Sequence, residues 1–475
     1  MANSKTNSYI LTLKLKTNNS DVIALNKYFE LSRKLYNALL GEGLKRLKSM
    51  RESKLYQQAQ KETDKVKRRE LFKEAEIKYN YGKFALNKYS TSLRVNEFKD
   101  IDANTVQALS ARATQAIDKL RFGNANRVNF IKYDEMYSIE GLTNRQGIRF
   151  RDGMLYFNKL ALECIVRKND EYAQLSLQDK IKYCRIVRKQ NGNRNIYYVQ
   201  LVLEGIPPKK RETGQGEVGL DIGTQTIAIV SDNETKLLEL AEGLNDIQKV
   251  KTILSRKLDR QRRANNPNKY NSDGTINTQN RDKWIKSNNY IKTQNKLRDI
   301  QSKMARIRKQ KHEEMANYIL SLGNIIKVET MNFKGLQARA KETTINKKTG
   351  KFNKKKRFGK SLANKAPAMF LTIIKNKVES KGGKYIEINT YKVKASQYNH
   401  LNKQYNKKKL SQRWNYFECI KVQRDIYSAF LIKNVDGLEN VNNDKCNEQF
   451  ENFLINHNRE IERLQGLNNL SSIGV

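Results

Sequence analysis

Period-two alternation opens the chain: in SYILTLKLK (residues 8–16) Tyr9, Leu11, Leu13 and Leu15 fall on one face, which predicts a half-buried strand. Asp21 then stands as an N-cap ahead of an apolar stripe through Ile23, Tyr28, Leu31, Leu35 and Leu39, the spacing of an amphipathic helix. From about residue 44 to 100 the chain is polar and Lys-rich; Leu47, Leu55, Leu71, Phe72 and Tyr79 predict exposed helices, with disorder the competing reading of so charged a stretch. Asp102 caps a better helix, whose Val106, Leu109, Ala113, Ile117 and Leu120 share a face and which ends near Gly123. Between 128 and 204 the period returns to two. VNFIKY, GIRFRDGMLYF, CIVRK, KYCRIVRKQ and RNIYYVQLVLE are candidate strands, with NGNRN as a hairpin turn.

Pro207 and Pro208, followed by KKRETGQGE, read as a linker. Beyond it EVGLDIGTQTIAIVSD predicts two short buried strands around a Gly-Thr-Gln-Thr turn. Two helical stripes follow, Ile247, Val250, Leu254, Leu258 and Gln261, then Leu297, Ile300, Met304 and Ile307, separated by a polar loop from Asn265 to Asp282; they predict an antiparallel helical hairpin. The buried run NIIKVE, a helix from Ala368 to Glu379, the strand KYIEIN and the apolar segment RDIYSAFLI complete this half, and ENFLINHNREIERLQGL is an amphipathic helix with no assigned role.

Composition sharpens the picture. Lys and Arg outnumber Asp and Glu by 92 to 49 in 475 residues, a formal charge of +43 that calls for a polyanion. With 23 Tyr and 16 Phe among the cations, both phosphate contact and base stacking are available, so nucleic acid is the expected partner. Residues 341–360, KETTINKKTGKFNKKKRFGK, are the densest basic run, and KKK at 407–409 is a second; Lys347, Lys348, Lys354, Lys355, Lys356, Arg357, Lys407, Lys408, Lys409 and Arg413 are candidate phosphate contacts. Four scattered Cys (164, 184, 419 and 446) form neither a disulfide framework nor a zinc ribbon. No long apolar run and no signal-peptide core occur, which predicts a soluble cytoplasmic protein without membrane contact.

Three carboxylates stand at the borders of apolar elements: Asp221 after a strand, Glu329 ending NIIKVE and Asp425 opening RDIYSAFLI. Convergence of such oxygen donors from distant segments is what a hard cation such as Mg²⁺ requires. Gly219 and Gly223 flank Asp221 and would let a scissile phosphate approach the backbone. His312, His400 and His457 have no triad partners in the sequence and read as surface or packing residues.

GLDIGTQTIAIV, VETMNFKGL and QRDIYSAFLIKN resemble, in order, the three RuvC motifs of TnpB, the transposon-encoded RNA-guided nuclease, and of the compact type V CRISPR effectors related to it. The likeness extends over most of residues 8–435, through the SRKLYNALL helix and SKGGKYIEINTYKVKASQ. It implies an α/β multidomain chain. A β-barrel-like wedge domain would occupy 1–43 and 124–210, a helical recognition lobe 44–123, and a ribonuclease H-like RuvC domain with a helical hairpin insertion 211–394. A target-nucleic-acid-binding insertion (395–420), a RuvC C-terminal segment (421–435) and a tail helix (436–475) would follow.

By the same resemblance Asp221, Glu329 and Asp425 would be the catalytic ligands of two Mg²⁺ ions, and guide RNA and target DNA the partners. Two departures stand out. Where the family carries four zinc-binding Cys this chain has Asn399, Asn402, Asn415 and Glu418, so no zinc is expected and the insertion should be held by packing around Tyr398, Leu401, Leu410, Trp414, Tyr416 and Phe417. Two residues after the third Asp, where the family places Asn, stands Tyr427. The implied activity is RNA-guided DNA cleavage. A guide-dependent repressor that does not cut, and a RuvC-fold resolvase or transposase, remain the alternatives.

Overall fold

The computed structural model describes residues 6–466 apart from 192–193, 209–211, 343, 347–349, 351–352, 354–357, 410–411 and 419. Two compact units divide the chain, residues 1–208 and 209–475. The first runs β1 (Ser8–Leu15), α1 (Asn19–Glu52), α2 (Lys54–Lys61), α3 (Lys65–Lys78), α4 (Lys83–Asn96), α5 (Ala103–Arg121), β2 (Ser138–Glu140), β3 (Arg149–Arg151), β4 (Met154–Phe157), β5 (Leu160–Ile165), α6 (Glu171–Ser176), β6 (Ile181–Asn191) and β7 (Arg194–Glu204). Its strands form one antiparallel sheet in the order β2-β6-β7-β1-β5-β4-β3.

That sheet curls because Asn144 ties one end to the interior of the other. Its side chain exchanges two hydrogen bonds with the backbone of Phe150 on β3, while its own N–H donates to Lys182 O on β6. Tyr9, Leu11, Leu13 and Leu15 point into the resulting core, as the alternation predicts. Two sequence expectations need correction. Asn18, not Asp21, is the N-cap of α1: Asn18 Oδ1 accepts the Asp21 N–H at 2.9 Å and Asp21 Oδ2 accepts the Asn18 N–H at 3.0 Å, a reciprocal capping box. VNFIKY is no strand either, because Ile131 pairs with side chains of α1 instead, its N–H going to Asn37 Oδ1 and its carbonyl to Asn37 Nδ2 and Arg33 Nη1. The polar stretch after residue 44 is helical, and α1 runs unbroken for 34 residues with Leu47 and Met50 still buried.

The second unit runs β8 (Glu217–Ile222), β9 (Thr226–Val230), β10 (Thr235–Glu239), α7 (Asn245–Asn265), α8 (Asn288–Leu322), β11 (Ile325–Glu329), α9 (Phe333–Leu336), α10 (Gly359–Lys365), α11 (Pro367–Ser380), β12 (Lys384–Ile388) and α12 (Thr390–Val393). Small strand pairs follow, β13 (Tyr398–Asn399) with β14 (Gln404–Tyr405) and β15 (Trp414–Phe417) with β16 (Ile420–Gln423), then α13 (Arg424–Lys433), the short β17 (Val435–Asp436) and β18 (Asn440–Val441), and α14 (Asn443–Gln465). Its main sheet has the order β10-β9-β8-β11-β12; β8, β9 and β10 are antiparallel neighbours, whereas β8, β11 and β12 run parallel.

Alternation divides β8 and β11 between two helical layers. Val218, Leu220, Ile222, Ile326 and Val328 bury against α8 and α11, through Ala316, Ile319, Leu320, Phe370, Ile374 and Val378. The opposite face, carrying Gly219, Asp221, Lys327 and Glu329, receives α13. The C-terminal helix α14 packs on α13 and covers the edge strand β10, where the buried Glu460 accepts the Leu237 N–H at 2.8 Å. An edge N–H that would otherwise stay open to another chain is thereby satisfied. The expected helical hairpin forms from α7 and α8: Leu244 and Met304 are buried with Ile247, Ile300 and Ile307 beside them, although α7 itself buries no side chain.

Candidate active site

Register places two of the three acids side by side. Lys327 pairs with Gly219 and Val328 with Leu220 in the parallel β8–β11 ladder, so Glu329 and Asp221 are the next neighbours, on the same face at the carboxyl ends of both strands. Adjacent parallel strands lie about 4.8 Å apart, which sets the scale of their separation.

α13 brings the third. Gly219 makes room for it, since a Cβ there would collide with the Ala429 carbonyl and stand 2.5 Å from the Lys433 nitrogen. Buried Lys327 holds the helix C-terminus, donating to Lys433 O at 2.8 Å and Val435 O at 2.7 Å and pairing with Glu217 at 2.9 Å. A cation there complements the helix dipole. At the other end Gln423 is the N-cap, its Oε1 accepting the Ile426 N–H at 2.8 Å and its own N–H donating to His457 Nε2 at 3.0 Å. With both ends pinned, Asp425 in the first turn is delivered beside Asp221. The closeness Gly219 allows is therefore that of a helix, which corrects the expectation of a phosphate; Gly223 closes the β8–β9 turn through a 2.9 Å bond from its N–H to Thr226 O.

Electrostatics report the convergence. The Asp221 carboxyl is pushed well above the usual carboxylate range, first by burial and then by the charges of Asp425 and Glu329, with Arg424 pulling the other way. Glu329 is raised to about 7 by burial, against a smaller opposite effect from the Ala395 N–H. Asp425 is held by Arg424, whose Nε and Nη2 donate to Oδ1 at 3.2 and 3.1 Å, and by Arg413 Nη1 at 3.6 Å from Oδ2. Three like-charged oxygen donors with no competing thiolate or imidazole are a hard-cation donor set in their chemistry. Among the described residues, however, no three acidic, His or Cys side chains already stand in a closed metal-holding group.

Other candidates fall elsewhere. Lys347, Lys348, Lys354, Lys355, Lys356 and Arg357 lie outside the described residues, as do Leu410 and Cys419. Lys407, Lys409 and Arg413 are exposed, whereas Lys408 is half-buried and donates to Asn415 Oδ1. Asn399 and Asn402 close turns by accepting the N–H groups of Leu401 and Gln404. Packing of this insertion is narrower than expected: Tyr398 and Phe417 are buried, but Leu401 and Tyr416 are exposed. Tyr427 does not line the carboxylates. Its hydroxyl accepts the His400 N–H at 3.1 Å and lies 2.6 Å from His400 Nδ1, inside an aromatic cluster with Phe417, Phe430 and Phe450. All three His are buried, and each has a ring-nitrogen partner: His312 Nε2 lies 2.8 Å from Lys365 O, His400 Nδ1 meets Tyr427, and His457 Nε2 accepts the Gln423 N–H. Sequence reasoning missed Arg424, Gln423 and Lys327; a Lys inside the apolar run NIIKVE was the one available signal, since burial of an ammonium needs dedicated partners.

Comparison with protein-family models and with curated proteins finds no match. Among solved structures the chain is similar to the protein of a Cas12f1–sgRNA–target DNA complex, at 12% identity and a TM-score of 0.45, covering 91% of this chain and 99% of that one. A CRISPR-Cas12f ternary complex matches at 14% identity and a TM-score of 0.27, covering 90% of this chain and 87% of that one. Among the described residues no helix is long and apolar enough to cross a membrane.

Proposed function

We propose that the chain is an RNA-guided DNA endonuclease of the TnpB and compact type V kind, with Asp221, Glu329 and Asp425 as the ligands of two Mg²⁺ ions in a RuvC site. The observation that carries the reading is the register of β8 and β11, which sets Asp221 beside Glu329 on the face that receives Asp425. Strand order and strand directions in this sheet also fit a ribonuclease H-like domain. Bound cations would supply charge neutralisation at the scissile phosphate and activation of water. The chain's own contribution is placement: Gly219, Lys327 and Gln423 fix α13, and Arg424 and Arg413 keep the Asp425 carboxylate oriented. A base-paired guide would read the target, and the excess of 92 basic over 49 acidic residues would hold the backbone of the heteroduplex.

Cleavage of target DNA by the RNA-loaded protein in Mg²⁺, compared between the natural chain and Asp221→Ala, tests this. Loss in the variant supports the nuclease. Target binding without cleavage in both points to a guide-dependent repressor, and cleavage without RNA to a resolvase or transposase.

A further inference from the structure

The segment between α7 and α8, residues 266–287, has almost no regular structure beyond one short 3-10 turn, yet two buried polar side chains nail it in place. Asn266 donates to Arg262 O at 2.9 Å and Ile285 O at 3.0 Å and accepts the Ile285 N–H at 2.7 Å. Lys269 is only 5% exposed, and its ammonium donates to the carbonyls of Asn280 and Asp282. Burying an ammonium is costly unless it is fully engaged, so these bonds fix the loop rather than decorate it. The anchors hold Asn280, Asp282 and Ile285, so they fix RDKWIK, residues 281–286, in which every residue is exposed. Trp284 at its centre backs onto Arg262 and Lys269, 5.6 and 5.5 Å from the ring centroid, and meets Tyr270 edge-on at 6.0 Å, while 39% of its surface remains exposed.

An indole packed against two cations yet 39% exposed, with Arg281, Lys283 and Lys286 beside it in the chain, is a stacking surface already set among positive charges. Its chemistry matches an unpaired nucleotide: a π-face for a base, with cations on either side for the flanking phosphates. A duplex, whose bases are already stacked, offers the ring nothing. We propose that this hairpin tip is a docking head for single-stranded nucleic acid, with Trp284 stacking on an unpaired base. The inference rests on the polynucleotide-binding part of the function proposed above and not on cleavage.

The chain has two Trp, so Trp414→Phe leaves Trp284 as the sole indole reporter. Full-length Trp414→Phe protein is titrated with short oligo(dT), oligo(rU) and a duplex of equal length, reading Trp emission together with the anisotropy of end-labelled strands. Saturable quenching by either single strand and none by bound duplex is expected. Trp284→Ala should weaken single-strand affinity about tenfold and leave duplex affinity unchanged. Should Trp414→Phe fail to fold, the difference between natural chain and Trp284→Phe reads the same signal. Unchanged Trp284 emission while anisotropy reports binding, or equal quenching by duplex, overturns the docking head and leaves the nuclease reading standing. No binding of any strand also overturns the docking head, while the nuclease reading stands or falls separately on cleavage by the RNA-loaded protein.

Discussion

The backbone nitrogen of Lys433 lies 2.5 Å from where a Cβ on Gly219 would be. A methyl group at 219 must therefore push α13 off β8, and Asp425 moves with the helix. Gly219→Ala is expected to destabilise the protein by about 1–3 kcal/mol, the usual cost of overpacking, and to lower cleavage further than that loss of folded protein explains. Thermal unfolding and a cleavage rate normalised to folded protein check both.

Like charges gathered without a cation oppose folding. Because the Asp221 carboxyl is raised in the folded state, the fold favours its protonated form; stability from this group is present at low pH and falls as pH rises above the ordinary carboxylate range. Asp221→Asn removes the charge at nearly constant shape. In chelator the variant should melt above the natural chain at pH 8, and the gap should narrow at pH 5. Added Mg²⁺ should stabilise the natural chain more than the variant.

His400 behaves in the opposite sense. Burial lowers its pKa from 6.5 to about 4, so the folded protein keeps the ring neutral while the unfolded chain protonates it. Its contribution is present above about pH 6.5 and is lost as pH falls toward 4, an effect on the order of 3 kcal/mol. Replacing His400 by Gln should lower stability at pH 7.5, where the bond to Tyr427 is lost, and flatten the melting temperature between pH 6.5 and 4. A pH series of thermal melts reads both effects.

Elements with a clean period were legible. The alternation of Tyr9, Leu11, Leu13 and Leu15 and the stripe of α5 behind its Asp102 cap fold as their spacing dictates. VNFIKY misled because alternation measures burial on one side and not the backbone's partner, here Asn37 and Arg33, about 95 residues away in sequence. Asp221, Glu329 and Asp425 were visible as acids at the borders of apolar runs, but what places them was not: the register that sets Glu329 beside Asp221, and Gly219 beneath α13, are tertiary facts. Tyr427 was noticed in the sequence as a departure at the family's Asn position, but what it touches was not legible, since its partner His400 lies on the insertion and not on its own helix. In α14, Glu460 falls on the buried stripe of Phe453, His457 and Leu464, a misplaced acid that a closer count of the period would have exposed.

The most direct test is Mg²⁺-dependent cleavage of a guide-matched DNA by the RNA-loaded protein, with Asp221→Ala, Glu329→Ala and Asp425→Ala made singly. Cleavage by the natural chain, lost by at least two orders of magnitude in each variant as expected for removal of a metal ligand while target binding persists, is the result this arrangement requires. Undiminished cleavage in any one variant, or none by the natural chain with guide and target both bound, would contradict it.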